Sequence, residues 1–149
     1  MLIGRHIQNI KKHVMPSLFL REGKVQEARG AVNRMPTAPI YHRDLLEACL
    51  QLRPAGDLDR MAQQAETSLP AEPDPEKWYY QGALFAYCGK KQAALHLLQS
   101  AVEQNYCAHE NLLNDPLLAK LRADPAFDKV LTAAGICQDA IRAPASPSQ

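Results

Sequence analysis

The stretch Trp78-Tyr79-Tyr80-Gln81-Gly82-Ala83-Leu84-Phe85-Ala86-Tyr87-Cys88-Gly89-Lys90-Lys91-Gln92-Ala93-Ala94-Leu95-His96-Leu97-Leu98 decides the fold. Trp78, Gly82, Phe85 and Ala86 recur at offsets of three and four, so they share one face of a helix. Gly89 then supplies the permissive backbone that ends that helix. A second apolar face follows in Ala94, Leu95, Leu98, Ala101 and Val102. Small residues at Gly82 and Ala94 let the two helices approach closely, where larger side chains would hold them apart.

The unit recurs. Gly89 precedes Ala94 by five residues, as Gly23 precedes Ala28; the offset 89 − 23 = 66 is twice 33. Midway stands Gly56, with Met61 five residues on. These glycines are read as the turns of three helix–turn–helix units, and a constant period in this range marks stacked repeats. The reading predicts helices over 41–52, 57–68, 75–88 and 91–104.

The third unit resembles a tetratricopeptide repeat (TPR): Trp78, Gly82, Phe85, Ala94 and Leu98 fill that family's pattern. Gln81 stands where Leu is usual, and Tyr106 where the closing Pro is usual. The second unit keeps only the character, in Leu45, Cys49, Leu52, Met61 and Ala65. The first is the weakest match, with Lys12, Pro16, Phe19, Ala28 and Val32; Pro16 must kink, break or restart its helix. The resemblance implies an all-α, right-handed solenoid with units at about 9–41, 42–74 and 75–108.

Asp115-Pro116 and Asp124-Pro125 are helix starts, with Asp as N-cap and Pro as first helical residue. They predict helices over 116–122 and 125–134, the second ended by Gly135, whose leucines, Phe127 and Val130 cover the open end of the stack. This closing segment, over 109–137, resembles that of many bacterial TPR domains. Residues 138–149 are too polar to pack and are expected to be a disordered tail.

Composition excludes several functions. The chain has 149 residues, one domain's worth, with 46% hydrophobic residues, so it buries an ordinary core. Seventeen basic residues balance sixteen acidic ones, which leaves no broad field for nucleic acid or anionic lipid. No apolar run approaches the ~20 residues of a membrane span, and the N-terminal stretch does not read as a signal peptide; a cytoplasmic location is expected. Cys49, Cys88, Cys107 and Cys137 form no C-x-x-C pair and are expected to be free thiols. Cys107, His109, Glu110 and Asp115 lack the paired spacing of a zinc site. No nucleophile motif or phosphate loop appears, so neither catalysis, cofactor nor metal is expected.

What remains is surface. The resemblance implies that the first helix of each unit lines a concave binding face, which places His13, Ser17, Arg21, Arg43, Leu46, Leu50, Arg53, Tyr79, Ala83 and Tyr87 inward. The set of Lys, Asn and Arg with which chaperone-binding relatives hold a C-terminal carboxylate is absent: His13, Ser17, Glu47, Glu76 and Tyr80 stand there. The expectation is a protein-interaction adaptor, alone or as part of a larger signalling protein, with three arginines drawing an acidic partner. The alternative is a small-ligand or regulatory sensor domain.

Overall fold

The computed structural model describes residues 15–143, and among these no strand occurs. Residues 15–21 are helical (α1). Then come Val25–Val32 (α2), a 3-10 turn at Pro39–Tyr41, Arg43–Cys49 (α3), Ala55–Thr67 (α4), Pro75–Tyr87 (α5) and Lys91–Glu103 (α6). His109–Asn114 (α7), a 3-10 helix at Pro116–Leu121 and Pro125–Arg142 (α8) complete the chain. Helix α3 packs on α4 and on α5; α4 packs on α6; α5 packs on α6 and on the 116–121 helix; α6 packs on α8. Thus α3 meets α5, α4 meets α6 and α6 meets α8, each across the α-helix between them in the chain, while α2 packs on α3.

Local chemistry sets the boundaries. Asp74 accepts the Glu76 N–H at 3.0 Å, with Pro75 at the first helical position of α5. Asp115 and Asp124 repeat the arrangement, accepting from the N–H groups of Leu117 and Ala126. Helix α5 ends in a Schellman cap: Gly89 has φ +80°, the Lys90 N–H reaches the Phe85 carbonyl at 2.8 Å, and the Gly89 N–H reaches Ala86 at 3.1 Å. Helix α1 ends identically at Gly23, with Lys24 bonded to Phe19 and Gly23 to Leu20.

Gly56 is not the third such turn. It lies inside α4, and Gln51 takes the cap instead, with φ +61° and the same two bonds, Leu52 to Glu47 and Gln51 to Ala48. Helix α3 is short, so its left-handed residue comes early. Pro54 then disfavours helix at Arg53, and α4 begins at Ala55. A strict period of 33 between α2 at Val25 and α6 at Lys91 would start α4 at 58, three residues later than it does. Its buried face keeps the period only in part: Ala65, in phase with Val32 and Leu98, is buried, whereas Met61, in phase with Ala28 and Ala94, is only half-buried.

The third unit holds a close helix crossing. A Cβ on Gly82 would lie 3.1 Å from Leu98 Cγ and 3.3 Å from the Ala94 carbonyl oxygen, closer than packed side chains sit. Trp78, Phe85, Ala94 and Leu98 are all buried around it, and the Trp78 indole N–H donates to the Glu72 carbonyl at 2.9 Å. Ala28 and Val32 are likewise fully buried in the first unit.

Two further expectations need correcting. Gly135 does not end α8, which runs to Arg142, so 138–142 are helix and not tail. Gly135 instead faces α7, where its ideal Cβ would stand 3.4 Å from the His109 ring. The cysteines are not free: Cys49 is bonded to Cys88 and Cys107 to Cys137, both with Cα atoms 5.3 Å apart. Neighbours along the chain misled here. Cys49 and Cys88 close the ends of α3 and α5, which stack side by side, while Cys107 precedes α7 and Cys137 lies on α8. The thiols therefore give no support to a reducing compartment. No helix among the described residues is long and apolar enough to cross a membrane.

Candidate functional site

A cavity of about 780 Å³ opens between α1, α3, α5 and the α7 region. Ser17, Leu18 and Arg21 come from α1, Leu46 from α3, and Tyr41 and His42 from the turn before α3. Helix α5 brings Tyr79, Tyr80 and Leu84, with Asp74, Glu76 and Lys77 at its start; Glu110, Asn111 and Asn114 come from α7. Only first-of-pair helices face it. Leu46, Leu84 and Leu117 are buried apolar walls, whereas Leu18 and Tyr80 are 42% and 46% exposed and offer apolar surface to an incoming group.

At the cavity's base Asp115 is the hub of a polar cluster. Arg21 grips it with both faces of the fork, Nε to Oδ1 at 3.0 Å and Nη2 to Oδ2 at 2.9 Å. The Tyr79 hydroxyl donates to Oδ2 at 2.7 Å, and the Leu117 N–H to Oδ1 at 3.0 Å. Burial alone would raise the Asp115 pKa, but the bonds from Arg21, Tyr79 and the Leu117 backbone outweigh it and hold the carboxyl below its ordinary value. Tyr79 shifts upward, first through burial and then through its bond to Asp115, so it stays a phenol. Arg122 completes the hub by donating to the Asp115 carbonyl at 2.9 Å. One carboxylate therefore ties α1 and α5 to the closing segment, and its acceptors are spent on structure.

The site expectations divide on this geometry. Arg21, Leu46 and Tyr79 line the cavity, as does Ser17. Arg43, Leu50, Arg53 and Tyr87 are not among its lining residues, and His13 lies outside the described residues. The predicted positive face is corrected as well. Arg21 is neutralised by Asp115, Arg43 pairs with Glu47 at 2.9 Å and donates to the Met35 carbonyl, and Arg53 pairs with Asp57 at 3.0 Å. Each arginine finds a carboxylate nearby in space, and for Arg43 and Arg53 it lies one helical turn on. Tyr87 is engaged at the closing segment, where Lys120 lies 5.7 Å from its ring centroid and donates to its carbonyl at 2.8 Å.

The cavity is acidic. Two cations, Arg21 and Lys77, line it against four carboxylates, Asp74, Glu76, Glu110 and Asp115. Lys77 is bridged to Glu72, which lies outside the lining. Among the described residues no ion pair holds Asp74, Glu76 or Glu110. Burial and then the bond to Glu76 push the Tyr80 pKa up to about 12, so its hydroxyl donates to Glu76 Oε1, at 2.9 Å. His42, at φ +54° before α3, has its pKa lowered chiefly by burial and is neutral at pH 7.

Sequence reasoning weighed Asp115 as a cap and, with Cys107, His109 and Glu110, as a metal ligand, but not as an ion-pair hub, because nothing local marks a partner 94 residues away. The aromatic pair Tyr79-Tyr80 was a visible signal, but only the fold separates the buried hydroxyl from the exposed ring. Comparisons with protein-family models, curated proteins and solved structures gave no match.

Proposed function

We propose that this chain is a short tetratricopeptide-type solenoid that binds a segment of a partner protein without transforming it. The observation that carries this reading is the cavity itself, apolar in its walls, fed only by first-of-pair helices, and edged by exposed Leu18 and Tyr80. Exposed apolar side chains beside a concave, apolar pocket are the usual mark of a binding site. The contacts of α3 with α5, of α4 with α6 and of α6 with α8 support the solenoid. The absence of catalysis rests on the state of the polar groups: Asp115 and Tyr79 are saturated by each other and by Arg21, so neither is poised to pass a proton.

The volume also falls within the range of small-molecule pockets, ~300–1,000 Å³, which favours the sensor reading on size alone. Against it, the polar groups that converge at the base, Arg21, Tyr79 and Asp115, are taken up by one another, and Glu76 and Glu110 stand exposed at the rim, whereas a small polar ligand needs open groups at the base for its orientation.

Selection from a displayed library of random dodecapeptides tests the proposal. Peptides enriched on the wild-type protein should not be retained by Leu18→Ser/Tyr80→Ser, two uncharged substitutions at exposed positions. Equal retention by both proteins, or no enrichment, would overturn it.

A further inference from the structure

We infer that the occupant of this groove is a basic segment, with Lys or Arg flanking one apolar anchor; the inference rests on the groove being the binding surface. The charges decide it. Both cations at the cavity already have partners, Arg21 in Asp115 and Lys77 in Glu72. The carboxylates Asp74, Glu76 and Glu110 have none among the described residues, and Glu76 and Glu110 are exposed. The N-terminal dipole of α5 offsets about half a charge, which leaves the rim negative.

Hydrogen-bonding capacity agrees. Tyr80 satisfies one oxygen of Glu76 and leaves the other open, and a carboxylate accepts about four hydrogen bonds. Glu110 has only a 3.5 Å contact from Asn114. The half-exposed ring of Tyr80 adds a face for a guanidinium. An acidic segment meets none of this: its carboxylates would face Asp74, Glu76 and Glu110, with Arg21 already spent. An uncharged apolar segment would leave the rim carboxylates partly desolvated and unpaired, which costs affinity. An anchor of Leu, Met or aromatic type on the Leu46–Leu84 wall, with cations reaching the rim, meets both demands at once.

The same library, read for charge, supplies the test. Peptides enriched on the wild-type protein should carry net positive charge beside an apolar residue. Glu76→Lys/Glu110→Lys, altered only at exposed positions, should enrich net negative peptides. For one enriched wild-type peptide, fluorescence anisotropy should show affinity falling at least tenfold between 50 and 300 mM salt, a consequence of screening. Neutral or acidic peptides enriched on wild type, yet lost on Leu18→Ser/Tyr80→Ser, overturn the charge inference and leave the groove in place. Enriched peptides retained by Leu18→Ser/Tyr80→Ser, or no enrichment at all, overturn both. A basic peptide that binds Glu76→Lys/Glu110→Lys with unchanged affinity also refutes the inference.

Discussion

Asp115→Ala tests whether one carboxylate closes the stack. The substitution removes the acceptor for four hydrogen bonds: two from Arg21, one from Tyr79 and one from the Leu117 N–H. The Asp115 side chain is 5% exposed and that of Arg21 23%, so the pair is well shielded from water. Removing one partner of a buried pair costs about 3–5 kcal/mol. Arg21 keeps some access to solvent, which points to the lower end, about 3 kcal/mol. Loss of the N-cap to the 116–121 helix adds about 1 kcal/mol. The total, about 4 kcal/mol, is a large share of the ~5–15 kcal/mol that holds a domain together. It should lower the melting temperature by roughly 8–16 °C at this size. Urea denaturation of the oxidised protein measures it, with Arg21→Ala and the double variant completing a cycle whose coupling should reach about 1–3 kcal/mol. Hydrogen exchange should show α1 losing protection together with the 116–121 helix, although they are far apart in sequence. A loss under about 1 kcal/mol, or additive single effects, would refute the hub.

The pH dependence follows from the same hub. The folded Asp115 pKa lies below its unfolded value, so its contribution is fully present above about pH 4 and is lost as pH falls through the folded value; Asp115→Asn should flatten that acid limb in denaturation curves. Gly82→Leu should destabilise by roughly 1–3 kcal/mol, because its side chain would enter the Leu98 and Ala94 contact; unchanged chemical denaturation would refute the close crossing. Gln51→Gly should stabilise by about 0.5–1 kcal/mol, since Gln holds a left-handed cap that Gly adopts freely; a loss on thermal melting would show that the Gln side chain matters more than its backbone. Non-reducing peptide mapping should recover Cys49 with Cys88 and Cys107 with Cys137; any other pairing would contradict the packing of α3 on α5 and α7 on α8, and free thiols throughout would contradict the two bonds.

Local signals wrote most of the helices. The Asp-Pro pairs, Gly23, Gly89 and the small residues of the third unit act within a few residues, through capping bonds and steric room, so they can be read along the chain. Gly56 misled because a cap needs a left-handed backbone and not a glycine as such: Gln51 adopts it once the stack fixes where α3 must stop. Helix α7 escaped notice because six residues carry too little periodicity, and α8 outran Gly135 because that glycine makes room for His109 instead of ending a helix. The site was legible only in part. The family resemblance implied an inward place for Leu46 and Tyr79, but it cannot say which charges meet. Arg21 and Asp115 lie 94 residues apart, and Cys49 and Cys88 lie 39 apart, so their partners were open until the helices stacked. The sign of the groove was decided there, because electrostatic pairing depends on distance in space, and folding brings the arginines to their carboxylates while leaving Asp74, Glu76 and Glu110 without a cation among the described residues.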